Sequence, residues 1–231
     1  MARGGLAAHL TVEEGKVDKT APRRKFLLAH KRPVKTVVLL LAAGALAAPL
    51  LVVGLSPGGF SNASFSALRL CALYSFTLIF MNIVTGAARL PVYMLFNPRR
   101  AYIFHLTTGA LGFSLAVAHG AIVVVTGHYA GRNAIWLIGP IALGALAVTI
   151  FVALDKKRLR RVWRRIHQIN YLIFVAIFIK AMVIGSDIVT HDATSYVMKT
   201  LMIIYVVIAA GATAYRVWDY ERAAARRRLR A

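Results

Sequence analysis

Six blocks of roughly 20 apolar residues, separated by short polar loops, constrain this chain more than any other feature. Thr36–Leu55, Leu70–Ala88, Ala101–Gly131 and Ala134–Leu154 contain no Asp, Glu, Lys or Arg. Ile166–Gly185 adds only His167 and Lys180, and Ser195–Tyr215 only Lys199. In hydrocarbon each backbone N–H and C=O must bond within its own segment, so each block is expected to be a membrane-crossing helix. Composition agrees, with 59% hydrophobic and 16% charged residues against about a quarter charged in a soluble domain. The expected fold class is all-α, a polytopic bundle of six transmembrane helices. Residues 1–35 form a polar basic arm, 36–215 the membrane domain and 216–231 a basic tail.

The formal net charge is +21. In a soluble protein that excess points to nucleic acid; here its distribution excludes that reading. Basic residues fill the arm (Arg23, Arg24, Lys25, Lys31, Arg32, Lys35) and the second loop (Arg89, Arg99, Arg100). They are densest in the fourth loop, from Lys156 to Arg165, and recur in the tail. The loops "SPGGFSNASF", "GHYAGRN" and "SDIVTHDAT" hold almost none. Alternation of this kind sets both termini in the cytoplasm and the chain in the inner membrane. The same basic surface suits anionic lipid or an acidic partner protein.

The single cysteine, Cys71, gives neither a disulfide framework nor a thiolate metal site. Residues 1–22 are too polar for a signal peptide, and "TVEE" at Thr11–Glu14 is a weak helix cap. Without a GxGxxG or P-loop, no nucleotide domain is expected.

Of seven histidines, His9, His30, His128 and His191 fall in polar segments and read as surface residues. His105, His119 and His167 fall in spans, where an ionisable group defaults to a functional hypothesis. His105 and His119 are fourteen residues apart. That is about 1400° of rotation, about 40° short of four turns, and a rise of roughly 21 Å. Two imidazoles on one face at two depths suit two stacked cofactors, and heme iron is the natural candidate. Gly109 and Gly112 between them would let a macrocycle or a neighbouring helix come close. His167 opens the fifth span at the depth of His105, so a bis-histidine site between the third and fifth spans is expected.

On "RRAYIFHLTTGALGFSLAVAH" and "RRIHQINYLIFVAIFIK", within a six-span arrangement, the chain resembles the ferric-reductase-like transmembrane family over residues 65–215. That family includes NADPH oxidases, ferric reductases and the heme subunit of the bacterial methionine sulfoxide reductase system. The resemblance implies two b-type hemes held by histidine pairs on the third and fifth spans. His105, His119 and His167 match three of the four positions; the fourth is Lys180. Three readings of Lys180 stay open: a neutral amine ligand to the second iron, a cation paired with a heme propionate, or a side chain snorkelling to the interface. Thirteen residues of straight helix turn Lys180 about 140° from the His167 face. Arg99, Arg100, Arg164 and Arg165 would hold propionates or merely mark topology.

The family's larger members carry flavin and nucleotide domains after the last span, and "RVWDYERAAARRRLRA" is too short for either. The expected function is transmembrane electron transfer through heme b, as the membrane subunit of an oxidoreductase. A separate flavoprotein, another electron carrier or a quinone would supply or take the electrons, with the fourth loop docking an acidic protein. The rival is a structural or interaction subunit of a larger membrane redox complex with a reduced or lost heme complement. A transporter is disfavoured, for the sequence has no inverted repeat.

Overall fold

The computed structural model describes residues 29–127, 134–155, 157–159 and 162–228. The arm through residue 28, with His9, Thr11–Glu14, Arg23, Arg24 and Lys25, lies outside them, as do His128, Lys156, Arg160, Arg161 and residues 229–231. Among the described residues every element is helical: α1 (Lys31–Leu55), α2 (Ala63–Ala87), the short α3 (Arg89–Leu95), α4 (Pro98–Thr126), α5 (Ile138–Leu154), α6 (Trp163–Ile184), the single-turn α7 (Ser186–Val189) and α8 (Ala193–Arg228). A 3-10 turn at Ala134–Leu137 leads into α5. Six of these helices are long and apolar enough to cross a membrane. The protein is an integral membrane helical bundle. Leu41, Val125, Ile141, Phe151, Leu172 and Val207 are among its many exposed apolar residues, a surface suited to lipid rather than water.

Local chemistry sets the ends. Asn62 caps α2 by accepting from Phe65 N at 2.9 Å. Asn97 caps α4 by accepting from Arg99 N at 2.9 Å, with Pro98 in the first helical turn. Gly127, at φ 67°, stops α4, because a residue with a Cβ is strained in that left-handed conformation. The third span thus ends at Thr126, just before the loop "GHYAGRN" expected from the sequence.

α2 is the hub. It packs against α1, α4, α6 and α8, and 50% of its most apolar stretch is buried, against 22% or less in the other five spans. Phe76 on α2 stacks on Phe174 of α6 at 4.6 Å, and Phe80 stacks on Tyr205 of α8 at 4.3 Å. Three hydrogen bonds seven residues apart tie α2 to α4: Leu68 O with His119 Nδ1, Ser75 Oγ to Gly112 O, and Asn82 Nδ2 to His105 O. A seven-residue repeat keeps one seam facing the partner helix. Gly109 and Gly112 lie on that seam: a Cβ at Gly109 would sit 2.8 Å from Asn82 Nδ2, and one at Gly112 3.2 Å from Ile79 Cγ1. They admit the neighbouring helix α2, the second of the two reasons expected for them.

One expectation needs enlarging. α2 begins at Ala63 rather than Leu70, which places Arg69 inside a membrane-length helix. Its charge is tolerated because Asp187 of α7 pairs with it.

Candidate functional site

His105 and His167 meet across the bundle with ring centroids 6.3 Å apart and planes inclined at 70°. The depth match expected from the sequence therefore becomes a facing pair, carried by α4 and α6. Two imidazoles on opposite sides of one metal ion have centroids about 6.3–6.5 Å apart, given metal–nitrogen distances of about 2.0–2.1 Å. Both rings are half-buried.

Hydrogen-bond accounting assigns the ring protons. His105 Nδ1 lies 3.1 Å from Asn82 O and 3.3 Å from Thr85 Oγ1. A carbonyl only accepts, and Thr85 already directs its proton to Met81 O at 2.8 Å, so His105 Nδ1 carries the hydrogen. His119 Nδ1 donates likewise to Leu68 O at 3.1 Å.

At His167 the neighbour is the Asn170 amide, 3.4 Å from Nδ1. The single hydroxyl proton of Thr149 has two acceptors, Leu146 O at 2.9 Å and Asn170 at 2.7 Å. Asn170 Oδ1 accepts from Thr149 Oγ1, and its Nδ2 faces His167 Nδ1. His105 and His119 thus keep a bare Nε2, the form a metal requires, with a fixed partner on the other nitrogen.

The second level differs. No other histidine faces His119 among the described residues. Lys180 lies within electrostatic range of it, but its amine makes no hydrogen bond with the ring. The amine sits 5.5 Å from the Trp136 ring centroid and so close to Gly139 that a Cβ there would be 2.6 Å away. α6 runs unbroken from Trp163 to Ile184, so regular helix geometry turns Lys180 off the His167 face.

Arg100 is exposed in the first turn of α4, and Arg164 lies over the adjacent Trp163 ring at 5.9 Å. Neither contacts the histidine pair. Arg216 of α8 does approach it: Nη1 donates to Gly86 O at 3.2 Å and to Tyr171 Oη at 3.4 Å. The sequence reading counted Arg216 only as tail charge. Asn82, Thr85 and Asn170 were also missed, although polar residues inside apolar spans were a signal for them.

Among the described residues no cluster of three or more His, Cys, Asp and Glu is arranged to hold a metal ion. The donor set on offer is a pair of axial imidazoles. No family model matches the chain, and no curated protein matches it.

Proposed function

We propose that this chain is a transmembrane electron-transfer subunit that carries b-type heme between α4 and α6. His105 and His167 would hold it through their ring nitrogens. One observation carries the reading: two half-buried imidazoles on α4 and α6, 6.3 Å between centroids, with His105 Nδ1 held by the Asn82 carbonyl. Heme bound there supplies a one-electron carrier whose potential follows its axial ligands and surroundings. Asn82 and Thr85 fix the tautomer and tilt of His105, and Asn170 Nδ2 lies against His167 Nδ1. Trp163 lies beside that ring, 6.0 Å from His167 between centroids.

The alternation of basic loops supports an inner-membrane orientation with both termini cytoplasmic. The fourth loop then stands beside His167 and is the surface for an acidic electron carrier such as a flavoprotein; a quinone is the other source of electrons.

The second reading, a subunit with a reduced heme complement, is favoured at one level only. Lys180 directs its amine to Trp136 and Gly139, which supports a single heme rather than two.

Absorbance of the purified protein tests the function. A sharp reduced α-band with about one heme per chain is expected. Absence of any heme band after expression with heme supplied overturns the proposal.

A further inference from the structure

A guanidinium from α8 reaches the helices beside the histidine pair. Arg216 bridges the two helices that flank the pair, through Gly86 on α2 and Tyr171 on α6. Gly86 lies against the His105 edge, where an added Cβ would be 3.2 Å from Cε1. Tyr171 stands one turn beyond His167 on α6. These two contacts fix a flexible side chain beside both rings.

Both bonds use Nη1, so Nε and Nη2 remain. Those two atoms form the fork edge of a guanidinium that matches a carboxylate in two parallel hydrogen bonds. Arg216 has no carboxylate partner among the described residues, where the one ion pair is Arg69–Asp187. A fixed cation with its bidentate edge open, beside a pair of axial-type imidazoles, is a receptor for an acid group on whatever those imidazoles hold.

We propose that Arg216, held by Tyr171 and the Gly86 carbonyl, binds a propionate carboxylate of the cofactor. The proposal rests on the heme reading and adds a third helix, α8, to the site. Arg100 and Arg164 keep only their surface role. A lipid phosphate is the competing occupant of the same guanidinium edge.

The test compares hemin with its dimethyl ester, in which both propionates are capped. Full-length wild type, R216K and R216Q, in detergent, are loaded with each and mixed with excess apomyoglobin as heme acceptor. A charge-assisted bidentate pair slows hemin loss from the wild type roughly tenfold or more relative to the ester. R216Q should lose hemin and ester at one rate, that of the ester from the wild type, and R216K should fall between. Equal acceleration of hemin and ester in R216Q would assign Arg216 a purely structural role and overturn the proposal. Unchanged hemin loss in R216Q would overturn it too, leaving the guanidinium to lipid. If the wild type takes up neither compound, the heme reading itself fails; a wild type that holds both equally sinks only the carboxylate assignment.

Discussion

Arg69 and Asp187, 118 residues apart, form a buried ion pair at the opposite end of the bundle from His105 and His167. Arg69 Nε donates to Asp187 Oδ1 at 2.6 Å and Nη2 reaches the same oxygen, while Phe65 lies 5.6 Å from the guanidinium. The residues are 6% and 8% exposed. The pair anchors α7 to α2 one residue from Leu68, whose carbonyl holds His119. Removing one partner strands a buried charge, at about 3–5 kcal/mol. Asp187→Asn should therefore lower the thermal midpoint in detergent far more than the double change Arg69→Met with Asp187→Leu. Equal losses in the two variants would show that the pair is not a coupled unit.

His105→Ala and His167→Ala should each abolish the reduced α-band, because each removes an axial ligand from one iron. His119→Ala should leave that band in place. The proposed assignment fails if both former variants retain wild-type heme content and spectrum.

Lys180→Met should leave the heme spectrum unchanged while shifting the emission of Trp136, since the amine sits over that indole and not on His119. A second heme that disappears or turns high-spin in this variant would instead make the amine a ligand.

Asp192 precedes α8, and its Oδ1 accepts from Ser195 N and from Thr194 Oγ1, each at 2.7 Å. The Ser195 N–H above all, then these hydroxyl bonds, hold the carboxyl below the usual range. A lowered folded-state value means that its contribution is complete above the ordinary pKa of about 3.9 and is lost as pH falls through the lowered one. Amide exchange at Ser195 and Tyr196 should speed up on acidification below about pH 4 in the wild type. In Asp192→Asn that pH step should vanish; its persistence would point to another carboxylate.

Accessibility tags on both termini and between Asp155 and Arg165 should report one side of the membrane. Tags at Gly127 and within Ser186–Thr194 should report the other. The motive is the alternation of basic and neutral loops. A C-terminal tag on the opposite side from the N-terminal one would contradict six crossings.

Much of the site was legible because helical periodicity is a property of a single segment. The fourteen-residue spacing of His105 and His119 already implied one face. The alternation of the five loops already set the antiparallel order that brings His167 to the level of His105. The face itself was not legible, because it depends on which helix covers it. Ser75, Asn82 and Leu68 make it the α2 seam.

By itself, then, the sequence determined the number of crossings, the depth of each histidine and the apolar surface turned to lipid. These follow from length, charge and the need to close backbone hydrogen bonds inside each span. Tertiary structure alone decided which polar groups meet. Arg69 found Asp187, Lys180 found Trp136, and Arg216 came to the histidine pair from 45 residues beyond Tyr171. The physical reason is that a buried charge or ring proton must be satisfied across helices whose relative rotation no local pattern encodes.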